Sequence, residues 1–293
     1  MAQWWQDEGF VHNGDVRLHY VAAGPPDGEP VLLIHGFPQF SYEWRYHLPA
    51  LAAHGYRVVA PDLRGYHLSD RPNGVEHYRM KNLVSDIGAF YNAFGWQSAN
   101  IVAHDWGGAI SWLFVSFYPQ MVKRFVVLDI PHPSAFQAGL RHIEQIHKSW
   151  YIWFFQFSEI PERIIGQDLG SFLRFMMVDS ARPGTFSPAD FQAYLENLSL
   201  PGAFEAAINY YRNGSNPATI YAENPANFAP LQMPVLLIYG KQDFAFEEEV
   251  WTETARYCSG YFRSVGLEGV GHWTPEEAPE ETLKLILEHF MVK

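Results

Sequence analysis

The chain holds one cysteine, Cys258, in 293 residues, so no internal disulfide can form. Its fold must rest on an apolar core and hydrogen bonds, and the reducing setting of the cytoplasm is expected. Basic residues are also scarce, with 20 Lys and Arg against 32 Asp and Glu and a formal net charge of −12. They form no run, so a nucleic-acid backbone would find no cationic surface and nucleic acid is excluded as a partner. Long hydrophobic runs are missing too. The densest, Trp150 to Phe157, is too short to span a bilayer and contains Gln156. The first residues, Met1 to Glu8, show no basic segment leading into an apolar one, so they do not read as a signal peptide and no membrane span is expected.

Rings and apolar side chains are plentiful. Hydrophobic residues make up 48% and charged residues 18%, the balance of an ordered globular chain. The 16% aromatic content suits a ring-lined apolar cavity as well as a dense core. The length fits one large core domain carrying an inserted subdomain.

Apolar runs alternate with helical patterns. Val16–Gly24 and Val31–Gly36 read as adjacent strands around the turn Pro25-Pro26-Asp27-Gly28. A helical pattern through Leu48 and Leu51 precedes the strand Tyr56–Asp62. Met80, Leu83, Val84, Ile87, Tyr91 and Phe94 recur at helical spacing, with Gly95 as the stop. Ala99–Asp105 is a strand, Gly107–Tyr118 a helix ended by Pro119, and Val122–Ile130 another strand. The rhythm returns in Pro234–Gly240 (strand), Glu247–Cys258 (helix), Tyr261–Leu267 (strand) and a helix from Pro279. Such alternation predicts an α/β fold with a mostly parallel sheet and helices on both faces. Between them lie only helical patterns (His142–Phe157, Ala189–Leu198, Ala203–Arg212), expected as a helical cap. The predicted organisation is core at 1–131, cap at 132–229 and core again at 230–293.

The segment Ile101-Val102-Ala103-His104-Asp105-Trp106-Gly107-Gly108-Ala109 carries a strand directly into a helix through small residues. So tight a turn thrusts its middle side chain out at the carboxyl end of the sheet, beside the positive end of the helix. That residue is Asp105, where such elbows usually carry serine. A carboxylate is already anionic at neutral pH and can attack an sp³ carbon, giving an ester that water can cleave. An Asp at this point could instead simply cap the helix.

The residues around it favour chemistry. His35-Gly36-Phe37-Pro38 ends a strand, and the Phe37 and Trp106 backbone N–H groups are expected to form an oxyanion hole. His272, in Gly271-His272-Trp273, arrives where a general base belongs, whereas His35 and His104 read as structural. Two carboxylates compete to orient it, Asp243 after one strand and Asp129 at the end of another, with Asp243 favoured.

These motifs resemble the epoxide hydrolases of the α/β-hydrolase superfamily over nearly the whole chain. HGFP at 35–38, HDWGG at 104–108, GKQD at 240–243 and GHW at 271–273 stand at that family's oxyanion loop, nucleophile, acid and histidine. Ser149 to Gln156 and Asn209-Tyr210-Tyr211-Arg212-Asn213 are similar to its two cap tyrosine segments. The resemblance implies that Tyr151 and Tyr211 hold and protonate an epoxide oxygen, that the substrates are a small lipophilic epoxide and water, and that no metal or other cofactor is used. It is compatible with a monomer or a homodimer. The alternatives are a haloalkane or haloacid dehalogenase with the same Asp nucleophile, or a non-catalytic binding member of the fold. Haloalkane dehalogenases also place a halide-binding Trp after the nucleophile, as Trp106 stands here, but their second halide ligand is typically an Asn after HG, where this chain has Phe37, or lies elsewhere on the core. Haloacetate dehalogenases share an Asp at position 129 but carry an arginine clamp after the nucleophile, which is missing here.

Overall fold

The computed structural model describes residues 3–214 and 229–292. Its centre is an eight-stranded sheet: β1 (Asp7–Asn13), β2 (Val16–Ala23), β3 (Glu29–Ile34), β4 (Tyr56–Pro61), β5 (Ala99–His104), β6 (Val122–Leu128), β7 (Val235–Gly240) and β8 (Phe262–Leu267). The spatial order is β1-β2-β4-β3-β5-β6-β7-β8. The β1–β2 and β2–β4 pairs are antiparallel and every other pair is parallel.

Burial on both faces explains the unbroken apolar strands. In β6, Phe125 and Val127 join one core cluster while Val126 and Leu128 join the other, and β7 splits the same way between Val235 and Leu237 on one side and Leu236 and Ile238 on the other. Period-two alternation sends successive side chains to opposite faces, so a strand covered on both must be apolar throughout.

One expectation is corrected. The strands now labelled β2 and β3 are not neighbours, because β4 lies between them. Val31 to Ile34 are fully buried, and β3 takes parallel partners on both sides, β4 and β5. The helix His47–Ala53 returns the chain to β4, and this crossover displaces β2. Strand β1 was not foreseen at all. It is an edge strand with only Val11 fully buried, so it lacks the alternation that would reveal it.

Between β6 and β7 the described chain is helical. Pro188–Leu198 and Ala203–Gly214 form where expected, the first started by a reciprocal cap between Ser187 and Asp190. The pattern His142–Phe157 forms two short helices, Ile143–Lys148 and Trp150–Phe154, separated at Ser149. Helices Pro133–Gly139, Ile160–Ile165 and Leu169–Leu173 and the π-helical turn Arg174–Val178 add to these. Of the expected cap, residues 215–228 lie outside the described residues.

The helical insertion packs on the loops at the carboxyl ends of the central strands. Arg45 of the core contacts Asp190 at 3.1 Å, Tyr42 donates to Asp190, and the Tyr210 hydroxyl donates to the Arg64 carbonyl at 2.7 Å. No helix among the described residues is long and apolar enough to cross a membrane.

Candidate active site

The elbow forms where small residues permit it. Strand β5 ends at His104 and the helix Asp105–Phe117 starts at once, two residues earlier than the apolar pattern indicated. Asp105 sits at φ +46°, a left-handed conformation that side chains rarely adopt. A Cβ on Gly107 would lie 2.4 Å from the Ile34 carbonyl oxygen, and one on Gly108 would lie 2.2 Å from the Ile130 side chain. Glycine at these positions lets the helix start against β3 and β6, and that contact holds Asp105 in its turn.

The Asp105 carboxylate is oriented at both oxygens. Oδ1 accepts the Phe37 backbone N–H at 2.8 Å, and Oδ2 lies 3.6 Å from His272 Nε2. Trp106 follows in the first helical turn, where backbone N–H groups have no helical acceptor. Burial alone would raise the Asp105 pKa, but the hydrogen bond and charge of His272, the charge of His104 and the Phe37 N–H together hold it below the ordinary carboxylate value. The side chain is therefore held as an anion although it is buried.

His272 is oriented from its other nitrogen, with Nδ1 2.8 Å from Asp243 Oδ2. The second Asp243 oxygen accepts the backbone N–H groups of Ala245 and Phe246 at 2.6 and 3.2 Å. Burial opposes the imidazolium, but Asp243 and Asp105 outweigh it, so the His272 pKa stands well above 6.5.

Asp129 is turned elsewhere. Its carboxylate accepts the Gly240 N–H at 2.9 Å and the Thr274 hydroxyl at 2.6 Å, and its Oδ2 lies 3.6 Å from His104 Nε2. Burial, aided by the Asp243 charge, pushes its pKa up to about 7 against the pull of His104 and His272. It braces the loops after β7 and β8 and makes no hydrogen bond to the His272 ring.

Tyr151 and Tyr211 are both buried, and their rings meet edge to face with centroids 5.8 Å apart. Tyr211 also packs edge to face on Trp106 at 4.9 Å and on Phe37 at 5.3 Å. Burial and the nearby Asp105 charge raise both phenol pKa values well above 10, so each remains a proton donor. A cavity of about 740 Å³ opens onto Asp105, Trp106, Tyr151 and Tyr211 and extends past Trp112 and Phe246.

His35 and His104 occupy structural positions. His35 Nε2 accepts the Leu63 N–H at 2.9 Å while Nδ1 meets the Gly36 carbonyl. His104 Nε2 donates to the His272 carbonyl at 2.9 Å, and its Nδ1 lies 3.2 Å from Glu43. Burial lowers the His104 pKa, but Glu43 more than offsets this and brings it to about 9. Glu43, which also accepts the Gly36 N–H at 3.0 Å, was not singled out from the sequence. It belongs to no recognisable motif, and a charge between Tyr42 and Trp44 was the only available hint.

A parallel sheet with a nucleophile elbow at β5, an acid after β7 and a histidine after β8 defines a hydrolase of the α/β type. The chain matches the alpha/beta hydrolase fold family over residues 29–279 and belongs to it, within the branch of the epoxide hydrolases. It is 36% identical over 282 residues to Epoxide hydrolase 4 of Homo sapiens, covering 94% of this chain and 76% of that protein. It is 35% identical over 285 residues to the AB hydrolase superfamily protein YfhM of Bacillus subtilis, covering 96% of each. The crystal structure of a Bacillus megaterium epoxide hydrolase in complex with an inhibitor superposes with a TM-score of 0.86 at 31% identity, covering 96% of this chain and 99% of that one.

Proposed function

We propose that this protein opens epoxides to vicinal diols through an ester on Asp105. The observation that carries the reading is one carboxylate, anchored by the Phe37 N–H and faced by His272, in a cavity it shares with two buried phenols. Asp105 Oδ2 attacks an epoxide carbon and the C–O bond breaks. Tyr151 or Tyr211 gives its proton to the leaving oxygen and stays a phenolate until the cycle closes. His272, neutral and held by Asp243, takes a proton from a water whose oxygen adds to the ester carbonyl. The Phe37 and Trp106 N–H groups carry the oxyanion. On collapse the diol oxygen takes the proton back from His272, and the proton left on the new Asp105 carboxyl returns through solvent to the phenolate, restoring both groups.

Residues 132–229 act in this scheme as a cap bringing the phenols over a core made of 1–131 and 230–293. Phe37 has no donor side chain for a halide, which favours the epoxide over the dehalogenase reading. The aromatic lining supports a lipophilic substrate, and the lone cysteine supports a cytoplasmic setting.

A single turnover of styrene oxide in ¹⁸O-water tests the mechanism. The label is expected in the peptide containing Asp105, because water attacks the carboxyl carbon and the diol leaves with an original Asp105 oxygen. Diol formation with no label in that peptide would exclude the ester.

A further inference from the structure

Orienting the His272 ring through Asp243 fixes only one end of the problem, because the ring moves with its backbone. That backbone is a loop, Gly269 to Trp273, leading into a four-residue helix, Thr274–Glu277. Loops open more readily than strands unless something ties them down.

Glu277 supplies such a tie. Its Oε1 accepts the Trp273 N–H at 3.0 Å and its Oε2 accepts the Gly271 N–H at 3.0 Å, so one carboxylate holds the amides on either side of His272. Oε2 also accepts the backbone N–H of Arg182, at 2.9 Å, from the helical insertion. The Arg182 guanidinium then reaches back, donating to the Gly269 carbonyl at 3.1 Å and the Glu277 carbonyl at 3.4 Å. One residue of the insertion thus grips the start of the His272 loop and the end of the short helix that follows it. The fit is close: a Cβ on Gly271 would come within 3.0 Å of both Glu277 Oε1 and the Ser180 carbonyl, and the Trp273 indole N–H donates to Ser180 Oγ at 3.0 Å. From the other side His104 holds the His272 carbonyl.

We infer that Glu277 and Arg182 are positioning residues that lock the backbone of His272 to the cap, and so serve ester hydrolysis rather than ester formation. The inference rests on the epoxide reading for its kinetics. Alkylation needs Asp105 and the phenols, which the clamp does not touch. Hydrolysis needs the His272 ring within reach of a water, and displacement of a catalytic group by about 1 Å can cost on the order of 100-fold.

Glu277→Gln keeps the volume but exchanges an acceptor oxygen for an amide NH2 donor, setting N–H against N–H. Rapid-quench single turnovers with styrene oxide, followed by intact-protein mass for the ester and by diol release, separate the two steps. We expect hydrolysis to slow by about 10- to 100-fold, alkylation to change little, and alkylated protein to accumulate. Arg182→Met, altered only in an exposed side chain, should shift the same ratio more weakly and serves if Glu277→Gln does not fold. Equal loss in both steps would show that the clamp merely holds the cap, and would overturn the inference. The low-field proton NMR signal of the His272–Asp243 hydrogen bond gives a second measure without substrate. It should broaden or disappear in the variants, and an unchanged signal also overturns the inference. Wild-type protein that turns over no epoxide would refute the epoxide reading, while this signal still reports on the clamp.

Discussion

Asp243 Oδ2 lies 2.8 Å from His272 Nδ1, and the shell around that contact is closed, since the other Asp243 oxygen is taken by two backbone N–H groups. A carboxylate so held has one orientation. When the ring is neutral, this selects the His272 tautomer whose bare Nε2 faces Asp105.

Asp243→Asn should therefore lower turnover by roughly 10²–10⁴-fold, as expected when a triad histidine loses its orienting charge. Asp129→Asn should cost far less, because Asp129 binds Thr274 and Gly240 rather than the His272 ring. Steady-state kinetics on both variants decides, and a reversed order would transfer the orienting role to Asp129.

The pH response of His272 should depend on the charge state of Asp105. Asp243 and Asp105 together hold the His272 pKa above 6.5 against burial. A base must be neutral, so hydrolysis declines as pH falls through the His272 pKa of the alkylated enzyme. Esterification removes the Asp105 charge, so that pKa lies below the value in the free enzyme. Asp105→Asn removes the same charge, and NMR titration of His272 should give a lower midpoint in this variant than in the wild type. An unmoved midpoint would contradict the coupling.

Tyr151→Phe and Tyr211→Phe each remove one donor and leave its ring packing in place. Each should slow alkylation by about 10²-fold or more, and the double variant further, as expected for loss of general acid assistance. The decay of ester already formed should change little. Rapid-quench measurement of ester formation provides the check, and a defect confined to ester decay would remove the phenols from the ring-opening step.

Gly107→Ala should destabilise the fold by about 1–3 kcal/mol, the usual range for overpacking. The added methyl would face the Ile34 and His35 carbonyl oxygens, which are backbone and cannot rotate away. Gly108→Ala faces the Ile130 side chain instead, so Ile130→Ala should partly rescue it. Urea denaturation of the three proteins measures both effects, and an unperturbed Gly107→Ala would show that the elbow has slack.

Much of the site is legible along the chain because its pieces are local. Small residues around Asp105, the run from His35 to Pro38 and the glycine beside His272 are signals read within a few positions. Glu43, Glu277 and Arg182 were not legible. Each acts on backbone groups far away in sequence or across a fold of the chain, and no residue type announces an acceptor for a distant N–H. Strand β1 was missed because an edge strand with little buried surface need not alternate.

The amino-acid sequence by itself determined an α/β architecture with a helical insertion and a carboxylate at the nucleophile position, since periodicity and tight-turn sterics are written in neighbouring residues. It left two questions that only the tertiary structure decided. One is the sheet order, in which β4 comes between β2 and β3 because β3 is buried on both faces and needs parallel partners on both sides. The other is which acid meets His272. Asp129 and Asp243 follow the adjacent parallel strands β6 and β7, and their distances along the chain say nothing about the direction of a side chain. Asp129, at φ +49°, turns to Thr274 and His104, and of these two acids it is Asp243 that is hydrogen-bonded to the imidazole.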